Sequence, residues 1–130
     1  MTPSRALHFV LLALLPACAP TAAKPPLPPA QYQATGPAII TAIARTAPTL
    51  KAPPLRQPWR PEEASNNSIV LRAYSSLGSL GGGRSFPVEL LFNTVTNGSI
   101  TTVTYSAAPT SRATVAEVFE TLDRQFKRVH

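Results

Sequence analysis

Cysteine and histidine are nearly absent from this chain. A single cysteine, Cys18, in 130 residues excludes an intrachain disulfide. The two histidines, His8 and His130, lie near opposite ends, so no internal histidine is present to serve a serine as a base or to join a zinc ligand set. Acids are scarce as well. Glu62 and Glu63 are adjacent, and Glu117 and Glu120 lie one helical turn apart on a solvated face. Neither arrangement sets two carboxyls across a cleft for acid–base work. A bilayer-crossing helix needs roughly 20 apolar residues, and the longest run here, from Ala6 to Leu15, has about ten. The inventory therefore reads as a non-enzyme, with no catalytic, cofactor-binding or metal-ligating residues.

That short run follows Arg5 and ends at small residues, the pattern of an export signal. It closes on Leu15-Pro16-Ala17-Cys18, which resembles the lipobox of bacterial lipoproteins. The resemblance implies cleavage before Cys18, a diacylglyceryl (palmitate-type) thioether on its sulfur and acylation of the new amine. It also implies that Ala19, which is not the aspartate of inner-membrane retention, directs the chain to the outer membrane, facing the periplasm. Ala17-Cys18-Ala19 also fits ordinary signal cleavage. The odd cysteine count favours lipidation, because exported cysteines normally come in pairs. One acyl chain binds a membrane marginally, whereas several hold it firmly.

Proline is abundant, 15 residues in all, and crowded between Pro20 and Pro61. Proline lacks a backbone donor and disfavours helix at the residue before it. This composition predicts an extended, disordered tether, able to reach on the order of 120 Å at about 3.1 Å per residue. Lys24, Arg45, Lys51, Arg56 and Arg60 make it basic, and the formal net charge is +6, or +5 without Arg5. Such charge keeps a proline-rich segment soluble and extended, or draws it weakly to the anions of the periplasm, which are phospholipid headgroups, lipid A phosphates and peptidoglycan carboxylates rather than nucleic acid. A short apolar helix is expected near residues 37–46, started by Pro37 and ended by Pro48. Its Ile39, Ile40 and Ile43 need a surface, either the chain's own head or a partner. Trp59 poses the same choice.

The expected organisation is a signal peptide over residues 1–17, a lipidated cysteine and linker over 18–65, and a small α+β domain over 66–130. Ser68–Tyr74 reads as a strand, and a position at the sheet edge would open it to strand addition. Two further strands flank Asn97-Gly98, a hairpin signal. A turn centred on those two residues sets Thr94 opposite Thr101, Phe92 opposite Val103 and Leu90 opposite Tyr105. Thr114-Val115-Ala116-Glu117 reads as a capping box. Val115, Val118, Phe119, Leu122, Phe126 and Val129 follow at helical spacing, with Glu120–Arg124 and Asp123–Lys127 as i,i+4 pairs. The expected fold is a three-stranded antiparallel sheet covered by a C-terminal amphipathic helix and preceded by the disordered tether. Gly78 to Ser85 reads as a glycine-rich connecting loop. Its G-x4-G-Arg-Ser spacing imitates a phosphate-binding loop, but a strand follows where that motif requires a helix.

An acylated cysteine, a proline-rich stalk and a compact head resemble the small lipoprotein subunits of type IV secretion and conjugation core complexes. The resemblance implies an anchoring role in an envelope-spanning assembly, with the membrane and other envelope proteins as partners and homo- or hetero-oligomerisation. A second reading is a tethered periplasmic regulator of a cell-wall synthase, which would use the long reach of the tether.

Overall fold

The computed structural model describes residues 27–77 and 86–130. The signal, Cys18 and the Gly78–Ser85 loop lie outside the described residues. The chain runs β1 (Ala30–Tyr32), α1 (Gly36–Thr46), β2 (Arg60–Glu62), β3 (Ser68–Ala73), β4 (Val88–Asn97), β5 (Ile100–Ala107), α2 (Arg112–Gln125) and β6 (Arg128–Val129). Among the described residues the strands form one six-stranded antiparallel sheet in the order β2-β3-β4-β5-β1-β6. The expected three-stranded sheet behind a disordered tether is therefore wrong. The proline-rich segment supplies two strands and a helix to the same sheet and core.

The prolines occupy positions that need no backbone donor. Pro37 stands in the first turn of α1, and Pro48 in the first turn of a 3-10 segment, Ala47–Thr49. Pro53 and Pro54 lie in a turn closed by the Arg56 N–H donating to the Pro53 carbonyl at 3.1 Å. Pro61 sits on β2, an edge strand, where a missing donor costs no ladder bond. Between them the apolar residues Ala30, Tyr32, Ile39, Ile40, Ile43, Leu50 and Trp59 are all buried. Proline here punctuates short elements, and burial of the residues between holds them. β3 is interior, covered by β2, so its edge is not open for strand addition.

The β4–β5 hairpin pairs Asn97 with Ile100, Thr94 with Val103, Phe92 with Tyr105 and Leu90 with Ala107. Its two-residue loop is Gly98-Ser99, one position later than Asn97-Gly98. Gly98 has φ 61 and Ser99 does not have positive φ. Only the first loop position then requires glycine, as in a type II′ turn. The shift preserves parity, so Leu90, Phe92, Val103 and Tyr105 still share the inner face.

Two helices cover that face. α1 packs on β3 and β4, α2 packs on β5, and the helices touch each other. Thr35 caps α1, its Oγ1 accepting from the Ala38 N–H at 3.3 Å. α2 starts at Arg112, ahead of Thr114, which is buried inside the helix. The capping box is therefore not formed, and Glu117 Oε2 instead accepts from the Lys51 N–H at 3.2 Å. Val115, Val118, Phe119 and Leu122 are buried, and the Phe119 ring meets Phe92 and Tyr105 edge-on at 6.5 and 5.9 Å. Asp123 does not bind Lys127. It accepts from Tyr32 Oη at 2.8 Å and from Arg128 Nη1 at 3.0 Å, tying β1, α2 and β6 together. Burial, and then the bond to Asp123, push the Tyr32 phenol well above its usual range.

Gly36 opens α1 against β4. A Cβ there would lie 3.0 Å from Thr94 Oγ1 and 3.3 Å from the Asn66 carbonyl. Overpacking of this kind costs about 1–3 kcal/mol, more than alanine's helix advantage of at most about 1 kcal/mol. Gly36→Ala should lower stability in urea titration by about 1 kcal/mol.

Candidate functional site

The residues singled out as partner contacts are core residues in the structure. Ile39 and Ile43 are fully buried and Ile40 nearly so. Trp59 is also buried, its indole N–H donating to the Lys51 carbonyl at 3.2 Å. Cys18 lies outside the described residues. The surface left for recognition is the face of the sheet opposite the helices, and the strand register assembles it.

On that face Val70 stands between Glu62 and Leu91, and Leu91 lies opposite Ser106. In a parallel row Ser68, Asn93 and Thr104 follow one another, and in the next Val95, Thr102, Gln31 and Val129 do the same. Small polar and β-branched side chains thus alternate across the sheet, with Val70 and Leu91 half-buried at its middle. Antiparallel sheets commonly leave one face to solvent. Here that face is wide, backed by a packed core and short of charge except at one corner.

The charged corner is built around Arg72 on β3. Its Nη1 meets Glu62 Oε2 at 2.8 Å and Glu63 Oε1 at 2.7 Å, and its Nε meets Glu89 Oε1 at 2.7 Å. Glu62 also accepts from Tyr74 Oη at 2.9 Å, and the Arg60 guanidinium lies 5.9 Å above the Tyr74 ring. Glu63 takes φ 48, an uncommon conformation for a side-chain-bearing residue, to reach Arg72. The bonds from Arg72 and Tyr74 hold the Glu62 carboxyl below its usual range, and those from the carboxylates raise Arg72. The bond to Glu62 raises the Tyr74 phenol. The guanidinium is committed to three carboxylates, so the cluster braces β2, β3 and β4 and is not arranged to seize an anion. Three Glu against Arg60 and Arg72 make this corner negative on a chain of net charge +6.

Open clefts bounded by surface residues lie among the described residues, one of about 470 Å³ between α1 and Ala64, Ser65 and Asn66 and one of about 370 Å³ between α1 and Phe126. One of about 310 Å³ lies beside Leu27, Tyr105 and Arg112, and another of about 210 Å³ beneath Pro53 and Pro54. Among the described residues no group of His, Cys, Asp and Glu is placed to hold a metal, and no helix is long and apolar enough to cross a membrane. Sequence reading missed the open face because β1, β2 and β6 are two or three residues long, too short for a period-2 signal. It missed the Arg72 cluster because only the β3–β4 register sets Arg72 opposite Glu89.

Two measurements check this description. Trp59→Ala should cost about 3–5 kcal/mol in chemical denaturation, whereas loss of a solvent-facing tryptophan would cost almost nothing. Glu62 has a depressed folded pKa, so its stabilisation is present above the ordinary value of 4.5 and is lost as pH falls through the folded value. Thermal unfolding should therefore show stability falling below about pH 4.5. In Arg72→Leu that acid dependence should shrink, because Glu62 loses the bond that contributes most to lowering its pKa.

The chain matches no protein-family model, and comparison with curated proteins and with solved structures likewise finds no match.

Proposed function

We propose that this chain is a lipid-anchored, non-catalytic subunit that docks a larger envelope assembly at the periplasmic side of the outer membrane. The observation that carries the reading is the open sheet face: six strands wide, backed by two helices, and lined by Val70, Leu91, Asn93, Thr102 and Thr104. A rigid face of mixed apolar and small polar groups suits protein recognition, in which a desolvated apolar centre is ringed by polar contacts. Acylation at Cys18 supplies the anchor, and its lipobox is the motif that supports it. An assembly of the type IV secretion or conjugation kind fits this combination.

The regulator reading needs reach. The fold begins by Leu27, nine residues after Cys18, and such a leash spans at most about 30 Å. Most of the expected arm is folded into the head, which favours the docking role over one that needs long reach.

Cys18→Ser should move the protein from the membrane fraction to the soluble periplasmic fraction, and mass spectrometry of the unaltered protein should find a triacylated Cys18 at the mature N-terminus. Leu91→Lys should leave Cys18 acylated and the thermal midpoint within a few degrees. It should abolish recovery of the chain in a high-mass membrane complex on native gels. Retention of that complex in Leu91→Lys, or a monomeric state of the unaltered protein in membranes, would count against the docking role.

A further inference from the structure

Four large hydrophobic side chains are exposed among the described residues: Leu55 at 67%, Leu77 at 55%, Phe86 at 79% and Val95 at 62%. Val95 stands near the β4–β5 turn. The other three share the opposite end of the sheet. Ser75 bridges Arg56, Ala73 pairs with Val88, the Ser76 N–H donates to the Leu55 carbonyl at 3.0 Å, and Arg56 Nη1 donates to the Phe86 carbonyl at 2.9 Å. Lys51 and Arg56 flank this tip, and Lys51 lines the cleft beneath Pro53 and Pro54 beside Val88.

Leu55 is the telling residue. It is the third residue of the Pro53–Arg56 turn and has φ 58. That position in such a turn favours glycine or asparagine. A leucine there carries backbone strain and leaves its side chain in solvent. Neither burial nor local conformation accounts for it.

The chain enters the fold from this same end. β1 is antiparallel to β5 with Ala30 opposite Val103, and Leu27 shares a cleft with Thr104–Ala107. Ala107 in turn pairs with Leu90, beside the start of β4. Leu27 thus lies at the tip end, about three strand spacings or roughly 14 Å across the sheet from β3. The ten-residue β4 carries the Gly98-Ser99 turn about 30 Å away. Leu27, nine residues from Cys18, therefore lies nearer to the tip than to the turn.

We infer that the tip of Leu55, Leu77 and Phe86 rests on the bilayer that holds the anchor, at the boundary of headgroups and acyl chains. Lys51 and Arg56 face the lipid phosphates. Large apolar side chains beside cations suit an interface of that kind. The occupant is the lipid surface, because Leu27, nine residues from the anchor, lies at this end. The contact fixes the orientation of the head and presents the open sheet face sideways to a partner. The inference rests on the anchored reading.

Full-length chain bearing either Ser76→Trp, at the tip, or Ser99→Trp, at the far turn, tests it. Buried Trp59 gives both the same background. In vesicles of phosphatidylethanolamine and phosphatidylglycerol with brominated acyl chains, the Ser76→Trp reporter should be quenched severalfold more than the Ser99→Trp reporter. Adding Leu55→Gly and Phe86→Ser should remove most of that difference, with circular dichroism unchanged because both positions are exposed. Equal quenching at the two ends, or quenching insensitive to the double substitution, overturns the inference and leaves the tip to a protein partner. Mass spectrometry of Cys18 reports separately on the anchor. Should the thiol be free, coupling it to a maleimide lipid restores the geometry, and the same quenching comparison decides the tip by itself.

Discussion

Everything in this fold depends on covering one face of a β-meander with helices drawn from both ends of the chain. Ile69, Leu71, Leu90, Phe92 and Val103 all point to the same side of β3, β4 and β5. α2 packs on β5, and α1 packs on β3 and β4. With α2 alone, the β3 and β4 side of that apolar face would meet water. A core of some 65 residues rarely supplies more than about 3–5 kcal/mol. The isoleucines of α1 and the indole of Trp59 enlarge the core without a disulfide, which a single cysteine could not provide in any case.

Polar interactions then close the seams that burial leaves open. The Tyr32–Asp123–Arg128 group joins the first strand to the last helix and the last strand, some ninety residues further along the chain. At the other edge Arg72 gathers Glu62, Glu63 and Glu89, so that a three-residue strand interrupted by Pro61 stays on the sheet. Edge strands invite pairing with other chains. Proline and charge on β2 oppose that, and β6 is only two residues long.

The surfaces differ in character, and the differences follow from topology. The helices occupy one face. The other is mixed in polarity, with a negative corner. One end carries exposed leucines, a phenylalanine and cations, and Leu27 lies at that end. The opposite end is a tight hairpin with one exposed apolar side chain, Val95. In the proposed docking role the membrane lies at the first of these ends and the partner on the open sheet face.

Patterns carried by neighbouring residues were legible in the sequence. The C-terminal helix with its buried Val115, Val118, Phe119 and Leu122, the short helix near Pro37, the hairpin and the inward parity of Leu90, Phe92, Val103 and Tyr105 all follow from local periodicity. Phe126 and Val129, expected on the same helical stripe, instead lie past the helix end, in an extended cap and in β6. The lipobox resemblance is equally local, and it concerns residues outside those described. Tertiary structure decided the rest. Three strands of two or three residues have no periodic signature, and they exist because a long-range partner offers its edge. Proline content argues for disorder only when nothing buries the residues between the prolines. Here Tyr32, Ile39, Ile43 and Trp59 find a sheet built by chain that comes later. The free energy of that distant contact, which no local window contains, turns an expected tether into half of the core.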